Sequence, residues 1–379
     1  LEAALQDRQT SIEGLVNVPA GATTAYQHIR LHAARAQGVN EPTEAGVAGA
    51  QEMLALLRAA GPDDVAICLL SGGGSALLPA PVPGVSFADK LAITKLLHRC
   101  GATINEMNCV RKHISQVKGG RLSEAFRGKF LLALIISDVV GDPLDVIASG
   151  PTAPDPTTFE EARAILACYH LTAQAPPSVV WHLEKGCAGE VAETPKFLAP
   201  NTQNRVIGNN RLALDAAKDQ ALELGYRVLD LGAFIEGETR HVAIAVAGII
   251  RSIRSDRQPL APPVCLLMGG ETTVTLQAQS GRGGRNQEFV LAVLEKLGGE
   301  GIEGVTVLSA GTDGEDGPTD AAGAVADAQT WFRSRQISLS ARDYLNRHDA
   351  YNYFDLTESL MKTGLTGTNV MDARIILVR

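Results

Sequence analysis

Two stretches of this 379-residue sequence concentrate residue types suited to chemistry. In Gly281-Arg282-Gly283-Gly284-Arg285-Asn286-Gln287-Glu288, two arginines stand among three glycines, just before the apolar run Phe289 to Leu294. In Gly311-Thr312-Asp313-Gly314-Glu315-Asp316-Gly317-Pro318-Thr319-Asp320, four acidic groups follow the strand-like run Val305 to Ala310. Glycine lets a backbone approach a ligand closely and adopt positive φ. Guanidiniums in such a loop suit phosphate or carboxylate oxygens, which they grip with two parallel hydrogen bonds. Clustered carboxylates suit a divalent cation or a proton-accepting role. Arginine, carboxylate and glycine together meet the needs of phosphoryl transfer, which depends on positioning and charge neutralisation. Either loop alone also reads as an ordinary polar turn, since short motifs recur by chance.

Further candidates follow predicted strands. Asp64 to Leu70 is an apolar run that feeds directly into Ser71-Gly72-Gly73-Gly74-Ser75. A strand leading into a glycine loop is a common ligand position in open α/β sheets, and this loop offers consecutive N–H groups and two hydroxyls for an anion. It lacks the Gly-Lys-Ser/Thr end of a P-loop and is not a G-x-G-x-x-G fingerprint. A structural tight turn is the plainer alternative. A helix predicted over residues 105–118 carries Arg111, Lys112, His113 and Lys118, with Arg111, Ser115 and Lys118 near one face. That face reads either as solvated or as phosphate-binding, and His113 is a weak acid–base candidate. Asp138 and Asp142 follow the apolar run Phe130 to Ile136 and could take magnesium, take a substrate hydroxyl, or shape a turn. Glu271 lies in a Gly269-Gly270-Glu271-Thr272 turn, placed to face a cleft.

The elements that must position these groups alternate. Helices are expected over 43–60, from Ser86 to about Gly101, and from a Thr158/Glu161 capping pair to Tyr169. Strands are expected over 14–19, 26–32, 64–70 and 130–136. Residues 172–200 are rich in Pro and Ala and mark a domain boundary, giving domains 1–199 and 200–379. Beyond it the pattern restarts: strand 205–207, helix 209–224, strand 226–231, helix 238–254, strands 264–268 and 272–277, and a helix from Asn286. Strand 305–310, short helices between 328 and 362, and a final strand 374–378 complete the chain. This predicts an α/β protein of two domains, each a mostly parallel sheet flanked by helices, with the active site in the interdomain cleft.

Composition narrows the function classes. Hydrophobic residues at 45% and charged residues at 20% are those of a globular protein. A net charge of −8 argues against nucleic acid or an anionic membrane as partner, and aromatics at 4% leave little for base stacking. The six cysteines form no C-x-x-C or zinc spacing, which suits a reducing, cytoplasmic setting. No apolar run is long enough to span a membrane. The chain opens on Leu1-Glu2-Ala3-Ala4-Leu5, which reads like the middle of a helix, so an N-terminal segment is expected to be missing.

Seven motifs in order now give a resemblance. They are Ser71-Gly-Gly-Gly-Ser, Asn108-Cys-Val-Arg-Lys-His-Ile-Ser-Gln-Val-Lys-Gly-Gly, Ser137-Asp-Val-Val-Gly-Asp-Pro, Ala148-Ser-Gly-Pro-Thr, Gly269-Gly-Glu-Thr-Thr, Gly281-Arg-Gly-Gly-Arg-Asn-Gln-Glu and the acidic loop from Gly311. From about residue 64 onward the chain resembles the glycerate 2-kinase family, which pairs a glycerate-kinase N-terminal domain with a MOFRL domain. The resemblance implies ATP-dependent phosphorylation of the C2 hydroxyl of D-glycerate. It maps the family's arginine onto Arg285, with Arg282 beside it, and its aspartate onto Asp313. A lysine segment Gly-Ala-Gly-Lys-Ala common in the family is absent, and Gly38-Val-Asn-Glu-Pro departs from its usual His-Pro-rich turn.

The expected roles are then as follows. Asp313 is the base, and Arg285 and Lys112 are the transition-state cations. Asp316 or Asp138 is the Mg²⁺ ligand. Ser71, Gly72, Gly73, Gly74, Ser75, Arg111, Lys118, Arg282, Asn286 and Glu271 hold phosphate or substrate. Whether loop 71–75 takes the nucleotide phosphate or the glycerate carboxylate is open, and so is a homo-oligomeric state. A hydroxypyruvate reductase would need a nicotinamide fingerprint that the sequence lacks. A non-catalytic sugar-acid or phosphate binder would have no use for four carboxylates in one loop.

Overall fold

The computed structural model describes residues 2–5, 11–22, 24–36, 41–276 and 279–379. Eleven strands occur among them: β1 (Gly14–Pro19), β2 (Ile29–Arg35), β3 (Val65–Leu70), β4 (Phe130–Ile136), β5 (Thr202–Gly208), β6 (Arg227–Asp230), β7 (Val264–Gly270), β8 (Val305–Gly311), β9 (Gly323–Ala326), β10 (Leu360–Met361) and β11 (Asp372–Val378). The chain divides into two compact units. One holds residues 1–135 and 143–206, and the other holds 136–142 and 207–379.

In the first unit β1 and β2 form a parallel pair, and β3, β4 and β5 form a sheet in that order, with β3 parallel to β4. The helix Glu44–Ala59 is capped by Thr43, whose side chain accepts from the Gly46 N–H. Ala50 and Leu54 on its buried face join Leu78 and Val117 in one small core. A second core is mostly helical. Phe87–Arg99, Ile104–His113, Phe159–Cys168 and Pro177–Cys187 bury Ile93, Leu97, Val110, Phe159, Leu166 and Leu183 together. Thr158 and Glu161 make the full reciprocal capping box expected of them.

In the second unit the sheet order is β10-β9-β8-β11-β7-β6. Its two faces are covered by helices. Thr239–Ser255 and Arg285–Ile302 bury Val246, Ile250, Phe289 and Val293 against Leu266, Met268, Ile376 and Val378. Asn210–Glu223 covers Cys265 and Leu267 on the other side. All seven residues of β7 are buried, which is why that run is continuously apolar rather than alternating.

The α/β class with flanking helices matches the expectation, with local differences. Parallel pairing holds for β1/β2, β3/β4 and β6/β7, while in the second unit's sheet β11 inserts between β7 and β8 and runs antiparallel to both, and β9 runs antiparallel to β8 and β10. The expected strand 205–207 is longer and belongs to the first sheet as β5, so the first unit runs to Val206 rather than 199. The second strand lies at Ile29–Arg35, later than the expected 26–32. The expected helix 105–118 ends at His113, because Gln116 N–H turns away to the Ala80 carbonyl and Gly119 and Gly120 take positive φ. The expected strand 272–277 is only an isolated bridge at Thr273, and Gln277 lies outside the described residues, as do 38–40 of the atypical early turn. Among the described residues, no helix is long and apolar enough to cross a membrane.

Candidate active site

The second unit gathers its charged groups at the ends of β7, β8 and β11 and at the start of the helix Arg285–Ile302. Asp372, fully buried at the first position of β11, is the centre. It takes both hydrogen bonds of the Arg285 fork, from Nε at 2.8 Å and Nη2 at 3.0 Å. It also accepts from Asn286 Nδ2 at 2.8 Å and Arg374 Nη2 at 3.0 Å. The third nitrogen of Arg285, Nη1, meets Glu271 Oε1 at 3.0 Å, and the Arg285 side chain stays 32% exposed. Burial works against the charge on Arg285, but Asp372 and Glu271 raise its pKa above the ordinary arginine value. One arginine is thereby held in a fixed plane with an edge open to solvent, an arrangement suited to oxyanions.

Carboxylates converge on the same place. Partial burial raises the pKa of Glu271, and the charges of Asp372, Asp138 and Asp313 push it further, against the pull of Arg285. The expected residues Arg285, Glu271, Asp138 and Asp313 are thus brought together within this unit. Asp313 follows the end of β8, is partly exposed, and accepts from the Glu315 N–H at 3.0 Å, so it also shapes its own turn.

Other expected residues have different work. Asp316, expected as a metal ligand, is buried and caps a helix: its oxygens accept from the N–H groups of Asn286 at 3.0 Å and Gln287 at 2.8 Å. Gly284 makes that approach possible, since a Cβ there would lie 2.3 Å from Asp316 Cγ. Burial moves the Asp316 carboxyl up to about 6, against those two N–H groups. Asn286, expected at substrate, is fully buried and links Asp372 and Asp316 while accepting from Ser309 Oγ at 2.5 Å. Arg282 lies over the Tyr351 ring at 4.0 Å. The acidic loop therefore splits into separate tasks. Among the described residues no group of three or more His, Cys, Asp or Glu is arranged to hold a metal ion.

The first unit has its own cationic cluster. Ser75 Oγ accepts from Arg111 Nη2 at 2.7 Å and Lys118 Nζ at 2.8 Å, and lies 3.1 Å from Ser149 Oγ. Ser149 Oγ donates to Asn108 Oδ1 at 3.0 Å, which also accepts from Arg111 Nη1 at 3.3 Å. With two donors arriving, the Ser75 proton is directed to Ser149, which closes the ring through Asn108 back to Arg111. Ser75 is therefore a hub that fixes the loop, and the exposed Ser71 with Gly72 and Gly73 is the part left open. Gly73 takes φ +73°, a conformation that favours glycine. Lys118 also donates to the Ala148 carbonyl at 3.0 Å. Burial, then repulsion from Arg111, Lys90 and Lys112, holds the Lys118 ammonium well below the usual lysine range.

Lys112, expected as a transition-state cation, is 2% exposed and lies between Asp145 Oδ2 at 3.1 Å and Asp155 Oδ1 at 3.2 Å. Its charge is spent inside the protein. His113 is fully buried, with Nδ1 2.8 Å from the Cys109 carbonyl and Nε2 2.9 Å from Glu193, and belongs to the core. Asp142 Oδ2 accepts from Asn209 Nδ2. Asp372 and Arg374 were missed in the sequence. Asp372 had a signal, an acidic residue heading an apolar strand.

Residues 1–184 match the family model described as "Domain of unknown function (DUF4147)", and residues 264–372 match the MOFRL family. A glycerate 2-kinase of Pyrococcus horikoshii is 42% identical over 89% of this chain and 76% of its own length. The chain belongs to the glycerate 2-kinase family. A relative from Agrobacterium vitis, named provisionally as a hydroxypyruvate reductase, is also 42% identical, over 89% of this chain and 75% of its own. Among solved structures, a glycerate kinase of Thermotoga maritima superposes with a TM-score of 0.87 at 38% identity, covering 97% of this chain and 85% of that one.

Proposed function

We propose that this glycerate 2-kinase family member transfers the γ-phosphoryl group of ATP to the C2 hydroxyl of D-glycerate. The observation that carries the reading is Arg285, held by both its Nε and Nη2 on Asp372 at the mouth of a carboxylate cluster. Relatives named as glycerate 2-kinases over most of the chain support the substrate and donor.

The roles follow from charge. Arg285 faces the equatorial phosphoryl oxygens, where transition-state charge collects, and those oxygens replace Glu271 on Nη1. Asp372 and Asn286 keep the fork oriented. Asp313 accepts the C2 hydroxyl proton as that oxygen attacks. With no preformed group of three or more His, Cys, Asp or Glu for a metal among the described residues, Mg²⁺ would arrive bound to the nucleotide, and Asp138 is the carboxylate we assign to meet it. When bound with the nucleotide, Mg²⁺ supplies neutralisation of phosphate charge. In the first unit, loop 71–75 with Arg111 binds an anion, and Lys118 fixes that loop through Ser75.

The test is incubation of purified protein with MgATP and D-glycerate, with the product read by phosphorus NMR. The expected product is 2-phosphoglycerate. No ADP formation above a glycerate-free control sinks the reading. The provisional name of the Agrobacterium vitis relative favours a second reading, hydroxypyruvate reduction, although the chain lacks a dinucleotide fingerprint. NADH or NADPH oxidation dependent on hydroxypyruvate would establish that alternative.

A further inference from the structure

Arg285 is the first residue of its helix, and the glycines at 281, 283 and 284 before it give the backbone wide freedom. Two carboxylates from elsewhere in the second unit remove that freedom. Downstream, Asp316 accepts from the N–H groups of Asn286 and Gln287. Upstream, Asp349 Oδ1 accepts from the Arg282 N–H at 3.1 Å. Backbone bonds flank that contact: the Gly281 N–H donates to the Arg347 carbonyl at 2.7 Å, and the Tyr351 N–H to the Arg282 carbonyl at 3.0 Å. The approach is so close that a Cβ on Gly281 would lie 2.5 Å from Asp349 Cβ.

Asp349 stands just before the helix Ala350–Leu356, where an aspartate ordinarily turns its carboxylate onto the helix's own first N–H groups. It makes no such capping bond. Both oxygens are engaged elsewhere: Oδ1 also accepts from Asn352 Nδ2 at 2.7 Å, and Oδ2 accepts from Arg347 Nε at 3.1 Å. A local preference given up for a contact 67 residues away marks a position that serves the site rather than its own helix. We propose that Asp349 is a positioning residue for phosphoryl transfer: by holding the Arg282 N–H it fixes the 281–285 loop, and the loop fixes where the Arg285 guanidinium stands. The proposal rests on the reading of Arg285 as the transition-state cation. Asp372 orients the far end of that side chain, and Asp349 fixes the backbone from which it extends. Without the Asp349 oxygen the glycines let the loop drift, and a misplacement of about 1 Å costs on the order of 10² in rate.

The experiment is steady-state kinetics with MgATP and D-glycerate for wild type, Asp349→Ala, Asp349→Asn and Gly281→Ala, with both alanine variants made in the Arg285→Ala background as well. Asp349→Ala should lower kcat by about 10²-fold and move either KM by less than about threefold, because Arg285 acts on the transition state. Asp349→Asn keeps an oxygen for the Arg282 N–H and loses only the acceptor of the half-exposed Arg347, so its kcat should stay within about fivefold of wild type. In the Arg285→Ala background, Asp349→Ala should cost less than about twofold more, since the group it positions is gone. A near-normal kcat for Asp349→Ala, an equal loss in Asp349→Asn, or losses that multiply in the double variant overturn the proposal. Should Asp349→Ala not fold, Gly281→Ala breaks the same contact from the loop side. It must then lower kcat and fail to add to Arg285→Ala, and any other result overturns the proposal. Amide hydrogen exchange reads the geometry without turnover. Exchange across residues 281–288 should rise at least about tenfold in Asp349→Ala and far less in Asp349→Asn, and unchanged exchange overturns the positioning. Absence of turnover by wild type removes the kinase reading alone, while exchange still decides whether Asp349 holds the loop.

Discussion

Asp372→Asn tests whether one buried carboxylate organises the second unit's site. Asparagine keeps the volume, so no cavity opens, and what is lost is the charge. Arg374 then loses its counter-charge, and Arg285 keeps only that of Glu271. Arg374 is fully buried, and its Nε and Nη1 already lack hydrogen-bond partners, leaving Thr272 Oγ1 at 2.8 Å as its remaining strong acceptor. Removing one partner of a buried ion pair costs about 3–5 kcal/mol. Retained hydrogen bonding by asparagine places this case near the lower end, about 3 kcal/mol. With a urea slope of about 2 kcal/mol per molar, the midpoint falls by about 1.5 M. Two tryptophans allow the unit to be followed by itself. Trp331 packs against the second unit's core, and Trp181, 56% exposed in the first, can be replaced by Phe in the background. At temperatures where the variant is folded, kcat should still fall by about 10² as the Arg285 fork loses its plane. Arg285→Ala is the control. It leaves Asp372 with Arg374 and Asn286, so stability should change far less while kcat falls on the order of 10³-fold. A midpoint shift below about 0.3 M for Asp372→Asn, with kcat within a few-fold of wild type, would refute the reasoning about this pair.

Other expectations separate neighbouring roles. Asp313→Asn should collapse kcat while leaving affinity for an ATP analogue intact; a near-normal kcat assigns Asp313 to its turn, and loss of both points to the magnesium–nucleotide complex. Arg285→Lys should restore little of the activity lost in Arg285→Ala, because an ammonium cannot make the two-nitrogen contact to Asp372 and still present an open edge. Asp316 makes stability depend on pH. Its carboxyl titrates at about 6 in the fold against an ordinary 3.8, so the folded state holds the proton more tightly. That contribution is present below about 3.8 and is lost as pH rises through 6, amounting to about 3 kcal/mol. Asp316→Asn should flatten the change in melting temperature between pH 4.5 and 7; an unaltered profile removes Asp316 as its source.

What the sequence determined by itself is local. Capping at Thr43, Ser86 and Thr158, the apolar strands 65–70, 130–136 and 264–270, and the glycine loops that follow strands all depend on residues within a few positions of one another. Hydrophobic period and cap chemistry act at that range, so they are legible in order. The ordered motifs likewise carried the family. Charge pairing depended on the tertiary structure, because a guanidinium or ammonium takes whichever carboxylate the fold delivers. Lys112 and Arg111 are neighbours in sequence, yet Lys112 meets Asp145 and Asp155 while Arg111 meets Ser75 and Asn108. Asp313 and Asp316 share one loop, yet one is partly exposed near Glu271 and the other caps a helix thirty residues upstream. The pairing of Arg285 with Asp372, 87 residues on, appears only when β11 is laid between β7 and β8. Burial settles the rest. A lysine on an apolar helix stripe reads as an oddity until the fold closes over it and leaves Lys90 only 2% exposed.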